Sequence, residues 1–258
     1  MFGCPQATSF LSRDFSMPSA IALIPARAGS KRVKDKNIRL LAGHPLLAYS
    51  IRAAIDSGVF SKVIVSTDSE AYAEVARQYG ADVPFLRPES LAGDKSPDFE
   101  WVSHAITWFA SQGQPFDAFS ILRPTSPFRL PSTIQRAWNQ FTNDGHADSL
   151  RAVQKCTEHP GKMWVIRGSR MTPILPYLNE AAPWHSSQYP SLPEVYVQNA
   201  SLEIARTSVL ADTGTISGHS IIPFLTEGFE GTDVNNETDW WYATHIVEHL
   251  AAPLPQVS

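Results

Sequence analysis

The feature that most constrains this chain is the alternation of short apolar runs with segments of helical period near its beginning. Residues 21–24 and 62–67 are apolar or β-branched runs with strand character. Each run is followed by a segment in which apolar residues recur every three or four positions, and these segments stop at Gly58 and Gly80. Two successive strand-helix units predict a parallel sheet with right-handed crossovers.

The same alternation continues along the chain. Further strands are predicted at 117–122, 149–153 and 220–224, and further helices at 97–111, from Pro131 onward and up to about residue 250. The fold class that follows is α/β, with a Rossmann-like, mainly parallel sheet and helices on both faces. We expect one such domain over residues 17–258, because the length suits a single core.

Composition narrows the classes of function. A formal net charge of -4 gives no reason to expect a nucleic acid or an anionic membrane as partner. Cys4 and Cys156 are too few for a disulfide framework, and the apolar stretches are too short for a membrane span, so we expect a cytoplasmic protein. Residues 1–16 lack the pattern of a secretory signal and are predicted to form a disordered extension.

A basic loop follows the first predicted strand. The apolar run stops at Pro25, and cationic and small residues follow it. Glycine lets backbone N–H groups approach a ligand closely, and open α/β sheets bind nucleotides beyond the carboxyl ends of their strands. The loop has neither the GxxxxGK[ST] nor the GxGxxG pattern, and a solvated basic loop is the simpler alternative. The residues concerned are Arg27, Gly29, Ser30, Lys31, Arg32, Lys34 and Lys36.

Several motifs carry a resemblance to a known family. The segments PARAGSKR and KDKN at 25–32 and 34–37 resemble the signature of the acylneuraminate, or nonulosonate, cytidylyltransferases, which include CMP-sialic acid synthetases. The segments RPESLAGD, RPTSPFR and GTDVNNETD follow in the same order as their counterparts in that family. The resemblance implies a nucleotidyltransferase that moves CMP from CTP to the anomeric hydroxyl of a sialic, legionaminic or pseudaminic-type acid, releasing pyrophosphate.

The resemblance also implies roles for individual residues. The groups that would stabilise the transferring phosphoryl group or activate the attacking hydroxyl are Arg27, Lys31, Lys36 and Asp233. Those that would hold the nucleotide are Ala26, Gly29, Ser30, Asn37, Arg87 and Asp94, although Asp94 is equally suited to capping the next helix. Those that would contact the sugar acid are Arg123, Thr125, Ser126, Arg129, Gln198 and Asn199.

A divalent metal ion is the implied cofactor. In the family, two carboxylates one residue apart bind it, and here Asp233 and Asn235 take those positions. An amide oxygen can still coordinate Mg²⁺ or Mn²⁺, but it brings no charge. Asp239 is better explained as a residue at the start of the last helix.

The chain departs from the family pattern at other positions that bear on the substrates. Arg123 replaces the usual Gln, and Ala200 stands where Gly is usual. Pro97 and Asp98 occupy positions that often carry small hydroxyl residues. The Arg expected shortly before the pair Leu192–Pro193, where it would hold the sugar carboxylate, is absent.

The segment 155–193, which we call the arm, has a different character from the rest of the chain. It is rich in proline and aromatic residues and shows no long period. In the family this region forms a dimer interface, so the resemblance implies a homodimer. A long irregular surface loop is the alternative, but it would leave many apolar residues in water.

Two other functions are compatible with the same motifs. One is transfer of a nucleotide to a Kdo-type sugar acid or to another small molecule. The other is a non-catalytic nucleotide-binding relative, which Asn235 and Ala200 would suit. Both retain a nucleoside triphosphate as ligand.

Overall fold

The computed structural model describes residues 18–30, 32–175 and 183–257. The predicted extension 1–16 and Lys31 lie outside the described residues. The strands are β1 Ala20–Pro25, β2 Leu40–Leu41, β3 His44–Pro45, β4 Lys62–Ser66, β5 Ala118–Ile121, β6 Ser149–Lys155, β7 Trp164–Arg167, β8 Arg170–Pro173, β9 Tyr196–Arg206 and β10 Ile221–Leu225. The α-helices are α1 Leu46–Asp56, α2 Glu70–Gln78, α3 Asp98–Ser111, α4 Pro131–Asp144, α5 Ser208–Thr213 and α6 Glu237–His249.

The central sheet has six strands in the order β10-β6-β9-β5-β1-β4. Strands β4 and β5 run parallel to β1, and β10 runs parallel to β6. Only β9 is antiparallel to its neighbours in this sheet. The prediction of a mainly parallel α/β sheet is therefore confirmed, as are the predicted strands at 117–122, 149–153 and 220–224.

Helices cover both faces of the sheet because successive side chains of each buried strand point to opposite faces. In β1, Ala22 and Ile24 pack with α1, α2 and α4, whereas Ile21 and Leu23 pack with α3 and α5. A third cluster joins α6 to the start of α1 and to residues that follow the basic loop. No described helix is long and apolar enough to cross a membrane.

The sheet order places a crevice at the carboxyl ends of β1 and β5. The chain leaves β1 towards β4 on one side and leaves β5 towards β6 on the other. Loops that diverge from neighbouring parallel strands leave a gap between them, and ligands bind at this point in open α/β sheets. The basic loop and the loop carrying the RPTSPFR motif are the two that border this gap.

Strand β9 is a finding that the sequence analysis did not anticipate, because it considered Gln198, Asn199 and Ala200 only as single positions of the family pattern. The strand lies between β5 and β6, and its register pairs Ile121 with Glu203 and Val153 with Gln198. Since β9 is antiparallel, its beginning lies beyond the carboxyl ends of the parallel strands. Asn199 and Ala200 are thereby carried to the edge where the crevice opens.

The described part of the arm contains regular structure despite its irregular sequence. Strands β7 and β8 form an antiparallel hairpin that turns at Gly168, and short 3₁₀ helices flank it at Pro160–Lys162, Trp184–Ser186 and Tyr189–Ser191. The short strands gave too few residues for a period to be visible in the sequence. Several apolar side chains of the hairpin are exposed.

Candidate active site

A cavity of about 390 Å³ opens at the crevice between β1 and β5. It is formed by the basic loop, the segment 87–98, the loop after β5, the beginning of β9 and the segment before α6. Ten of the sequence-predicted site residues line it: Arg27, Ser30, Lys36, Asn37, Arg87, Asp94, Arg123, Thr125, Asp233 and Asn235. Residues that are far apart in the chain therefore meet in one place.

The basic loop is held in shape by its own backbone and by two polar side chains. Gly29 has a φ of 73°, a conformation that is strained for other residues. The N–H of Ala28 donates to the carboxylate of Asp68 at 2.8 Å, and the Asn37 amide donates to the carbonyl of Arg27 at 3.1 Å. Ala26, which is buried, continues the ladder by donating its N–H to the carbonyl of Ser66. These contacts hold residues 26–28 of the loop to β4, Asp68 and Asn37.

Arg27 and Asp94 form an ion pair at the entrance of the cavity. Their closest atoms lie 2.6 Å apart, and about a third of each side chain or more is exposed. An exposed pair of this kind contributes little net stability, because water competes for both charges. The guanidinium can therefore exchange the carboxylate for a phosphate group at low cost.

Lys36 crosses the floor of the cavity to the segment before α6. Its ammonium donates to the carbonyl of Val234 at 2.9 Å. Burial lowers the pKa of Lys36, and the nearby carboxylate of Asp233 opposes that shift. A poorly hydrated cation beside a carboxylate is well placed to bind a phosphate oxygen.

The segment before α6 is fixed by contacts on both sides. The N–H of Val234 donates to the carbonyl of Thr125 at 2.8 Å, which joins this segment to the loop after β5. The amide of Asn235 donates to one oxygen of Asp233. The other oxygen, Oδ1, is buried and accepts no hydrogen bond from the described residues. An unpaired buried carboxylate oxygen is costly, so it indicates a missing ligand such as a cation.

Asp239 plays the structural part expected of it. Asn236 caps α6 by accepting from the N–H of Asp239 at 3.0 Å, and Asp239 accepts in return from the N–H groups of Asn235 and Asn236. This reciprocal capping satisfies backbone groups at the helix start. It also orients the residues that lead into the cavity.

Arg87 forms the side of the cavity next to α3. Its guanidinium donates to the carbonyl of Ser66 at 2.8 Å and to its hydroxyl at 3.0 Å, and it lies 4.8 Å from the centre of the Trp101 ring. Burial lowers the pKa of Arg87 to about 10. The residue is thus a rigid, cationic wall of the cavity.

Arg123 does not offer a free charge to the cavity. One terminal nitrogen, Nη2, lies 2.6 Å from a carboxylate oxygen of Asp98 and 2.9 Å from one of Glu203. Burial by itself would lower the pKa of Arg123, but the hydrogen bonds and charges of these two carboxylates raise it above its ordinary value. The guanidinium is therefore already neutralised by the protein.

Four predicted sugar-contacting residues are not brought to this cavity. Arg129 and Ser126 are buried behind it, and Arg129 donates to the hydroxyl of Ser50 at 2.6 Å and to the carbonyl of Ser201. Gln198 is exposed on β9. Asn199 donates to the hydroxyl of Thr226 at 2.9 Å, beside a second cavity.

The second cavity has a volume of about 490 Å³ and shares Asp233 with the first. Gly231 lies at its wall, where a side chain would clash with Gln154, Asn199 and Thr226. The lining contains no lysine or arginine, unlike the first cavity: it comprises Gln154, Gly228, Phe229, Gly231, Thr232, Asp233, Asp239 and Tyr242. The two cavities therefore offer different chemistry on either side of one carboxylate.

Sequence reasoning overlooked three residues of the first cavity and its surroundings. Arg32 lines the cavity and was visible as one of the basic residues of the loop. Asp98 also lines the cavity. The sequence signal that could have identified it is that Asp98 occupies a position where the family often has a small hydroxyl residue. Asp68 supports the basic loop by accepting from the N–H of Ala28, while the neighbouring Ser69 caps α2.

Comparison with known proteins agrees with this geometry. The family model described as cytidylyltransferase matches residues 21–159, from β1 to the beginning of the arm. A CMP-N,N'-diacetyllegionaminic acid synthase of Legionella pneumophila is 35% identical over 229 residues, which cover 88% of this chain and 96% of that protein. The chain belongs to the cytidylyltransferase family.

Other relatives of this cytidylyltransferase match shorter segments or only the fold. An N-acylneuraminate cytidylyltransferase of Escherichia coli is 51% identical over 117 residues, which cover 45% of this chain and 27% of that protein. A CMP:2-keto-3-deoxy-manno-octonic acid synthetase in complex with CTP has a TM-score of 0.65 and 14% identity, covering 89% of this chain and 98% of that one. The second similarity shows the fold alone.

Proposed function

We propose that this enzyme transfers CMP from CTP to the anomeric hydroxyl of a nonulosonic acid of the sialic, legionaminic or pseudaminic type, with release of pyrophosphate. The observation that carries the proposal is the meeting of Arg27, Lys36 and Asp233 in one cavity at the carboxyl ends of β1 and β5. Cations on one side and a carboxylate on the other suit a triphosphate and an attacking hydroxyl.

The residues of the first cavity account for the binding and activation of the triphosphate. Charge grows on the phosphoryl oxygens and on the leaving pyrophosphate during transfer. Arg27, Arg32 and Lys36 are the cations placed to stabilise that charge, and Lys31 stays a prediction because it lies outside the described residues. Cations that the fold holds in place can act without reorganisation, and preorganised groups of this kind give the largest electrostatic stabilisation.

A divalent metal ion, Mg²⁺ or Mn²⁺, fits the carboxylate side of the cavity. The buried Oδ1 of Asp233 accepts nothing from the described residues, and the amide oxygen of Asn235 is the second ligand that we assign. Among those residues, no group of three acidic, histidine or cysteine side chains could hold a metal by itself. Mg²⁺ is commonly held by one or two carboxylates together with substrate phosphates, and it would neutralise charge that develops during transfer.

The sugar acid is assigned to the side of Asp233 that faces the second cavity. An attacking hydroxyl must lie beside the α-phosphorus, so the rest of the sugar must extend away from the nucleotide. Gln154 lines that cavity, and Asn199 lies next to it, 3.3 Å from the Gln154 side-chain oxygen. Amide groups of this kind can hydrogen-bond to hydroxyl or amide substituents. In this arrangement Asp233 can accept the proton of the attacking hydroxyl, directly or through water.

The exact sugar is best sought first among legionaminic-type acids. The similarity to the legionaminic acid synthase extends over most of both chains, including the arm and β9, whereas the similarity to the N-acylneuraminate enzyme covers less than half of this chain. The second cavity, where we assign the sugar acid, is formed largely by the later part of the chain. A cytoplasmic location, and the absence of nucleic acid or membrane partners, stay predictions.

A homodimer is part of the same proposal. Ile166, Met171 and Ile174 of the arm are 74%, 56% and 51% exposed. A group of exposed apolar side chains on a hairpin and the residue that follows it is typical of a protein interface. The second protomer would cover this surface.

Pyrophosphate release with CTP, Mg²⁺ and separate legionaminic, sialic, pseudaminic and Kdo acids tests the proposed reaction. We expect release with one of the first three acids and its loss in an Asp233→Ala variant. Release with Kdo alone would redirect the assignment to that sugar. Stabilisation by CTP without release with any acid would favour a non-catalytic nucleotide-binding protein.

A further inference from the structure

The charged residues on the α3 side of the cavity form a connected network. Arg123, in the loop after β5, bridges Asp98 at the start of α3 and Glu203 in β9. Glu203 is only 4% exposed and also pairs with Arg151 of β6. The network therefore contains two cations and two anions, and each charge has an opposite neighbour.

Such a network is sensitive to the loss of any one member. Removing one partner of a buried ion pair leaves an uncompensated charge in a poorly hydrated place, which is more costly than the loss of an exposed pair. Arg123 and Glu203 are separated by 80 positions in the chain, so their contact also joins two elements. The network thus fixes where the Asp98 carboxylate lies.

Asp98 is the member of the network whose side chain can accept a further hydrogen bond from a ligand. It accepts from the Trp101 indole N–H at 2.8 Å and from Arg123 at 2.6 Å and 3.4 Å. A carboxylate has about four acceptor sites, so one remains after these hydrogen bonds from the described residues. The side chain is 32% exposed and lines the first cavity.

The protonation state of Asp98 supports an acceptor role. Burial raises the pKa of its carboxyl group, but the hydrogen bonds and charge of Arg123 outweigh burial and hold the pKa below its ordinary value. The charged groups that face Asp98 are Arg123 and, from the segment after α2, Arg87, with Glu203 behind Arg123. The carboxylate is therefore ionised at neutral pH and can only accept hydrogen bonds.

The chemistry of CTP restricts what Asp98 can contact. A carboxylate repels the triphosphate, whereas the cations Arg27 and Lys36 attract it. The hydrogen-bond donors of CTP are the ribose hydroxyls and the exocyclic amine of cytosine. Asp98 lies with Arg87 and Trp101 on the α3 side of the first cavity, and it does not line the second cavity, where we assign the sugar acid.

We propose that Asp98 accepts a hydrogen bond from the nucleoside part of CTP, and that Arg123, held by Glu203, is the positioning residue that keeps this carboxylate in place. This inference rests on the proposed function. It assigns Arg123 to nucleotide recognition and removes it from the residues that could hold the sugar carboxylate. Asp98 and Arg123, which both depart from the family pattern, then act as one unit.

The first test compares Asp98→Asn with Glu100→Gln. Glu100 is exposed and belongs to the same first turn of α3, so its replacement removes an equal charge outside the first cavity. For Asp98→Asn we expect the KM for CTP to rise about tenfold, with kcat and the KM for the sugar acid within about twofold of the original values. For Glu100→Gln we expect no such change.

Nucleotide analogues identify the donor. If Asp98 contacts the ribose, the discrimination against dCTP falls about tenfold in Asp98→Asn; if it contacts the base, the discrimination against UTP falls instead. Unchanged discrimination against both analogues overturns the assignment to the nucleoside. A rise in the KM for the sugar acid, with the KM for CTP unchanged, would move Asp98 to the sugar side and also overturn it.

The second test concerns Arg123 and uses pH. Without the guanidinium, burial should raise the pKa of Asp98, so an Arg123→Gln variant should lose CTP affinity as pH falls from about 8 to about 6. The original protein should show only the smaller change that titration of the CTP phosphate itself produces over that range. The double variant Asp98→Asn with Arg123→Gln should lose this pH dependence, and Arg123→Lys should restore the original profile. A pH-independent KM for CTP in Arg123→Gln contradicts the positioning role.

Calorimetric measurement of CTP binding separates the two proposals. Binding does not require turnover, so Asp98→Asn can be tested even if no sugar acid supports pyrophosphate release. CTP binding that weakens in this variant, without turnover in the original protein, would support the inference and overturn the proposed reaction. If Arg123→Gln does not fold, Asp98→Asn alone still tests the contact, and an unaltered affinity in it overturns the inference.

Discussion

Arg27 illustrates how the site is prepared at the scale of a single residue. It pairs with Asp94 across the cavity entrance, in a place open to solvent. A guanidinium that is paired with one exposed carboxylate can bind a phosphate instead. The guanidinium of Arg123 is already neutralised by two carboxylates and cannot. Exposure and pairing, rather than residue type, thus separate the substrate-binding arginines from the structural ones.

We predict that Arg27→Ala lowers kcat for pyrophosphate release about a hundredfold. Removal of one preorganised donor to a developing charge costs roughly 3 kcal/mol of transition-state stabilisation. Arg77→Ala is the matched control, because Arg77 is also a partly exposed arginine in an ion pair, with Glu70, but it lies outside the first cavity. Near-normal turnover in Arg27→Ala would refute its catalytic assignment.

Lys36 should make the reaction sensitive to alkaline pH. Burial lowers the pKa of its ammonium, so the cation that binds phosphate is lost as pH rises through a value below the ordinary one for lysine. We expect kcat/KM for CTP to fall on that alkaline limb. In Lys36→Arg the fall in kcat/KM should occur at a higher pH, because arginine keeps its proton longer than lysine. If the fall occurs at the same pH as in the original protein, another group, such as Arg87, causes it.

At the scale of the element, the start of α6 links a helix cap to the carboxylate side of the cavity. Asn236 and Asp239 satisfy backbone N–H groups at the helix start, and the N–H of Asn235 belongs to the same set. The residues that precede a capped helix are held at a defined angle to it. The Asp233 carboxylate therefore depends on a local capping arrangement for its position.

We predict that Asn236→Ala lowers the free energy of unfolding by about 1 kcal/mol, because the N–H of Asp239 loses its acceptor. Chemical denaturation monitored by circular dichroism measures the change. Thr238→Ala is the control, since Thr238 is exposed in the first turn of α6 and does not cap it. Equal stability of the two variants would show that the cap contributes nothing measurable.

At the scale of the whole molecule, the arm leaves apolar surface that the described fold does not cover. Exposed side chains of the β7-β8 hairpin include Ile166 and Met171. Burial of such surface between protomers is favourable in proportion to the area removed from water. A dimer is the state that we expect at the concentrations used in assays.

We predict that Ile166→Asp converts the dimer to a monomer, because a charge would have to be buried in the interface. Sedimentation velocity or light scattering gives the mass of the species in solution. Leu40→Asp serves as the control, since Leu40 is also exposed, at 61%, but lies outside the arm. A mass that is the same for Ile166→Asp as for the original protein would contradict the role of the arm.

Much of the fold and part of the site could be predicted because the signals are local. An apolar run or a helical period indicates a strand or a helix at the same positions of the chain. The residues that stop such a segment indicate where the element ends. The basic loop follows β1 directly, so Arg27 and Lys36 could be assigned to an anion site once β1 was identified as a strand. The sequence alone therefore determined the α/β class, the order of most elements and the family.

The tertiary structure decided which of these residues act together. Strand β9 inserts antiparallel between β5 and β6 and carries Glu203 to Arg123, which is 80 positions earlier in the chain. The start of α3 brings Asp98 to the same guanidinium, so a cation that looked free in the sequence is neutralised. Charge compensation depends on distances of a few ångströms between elements, and sheet order, which residue spacing does not encode, sets those distances.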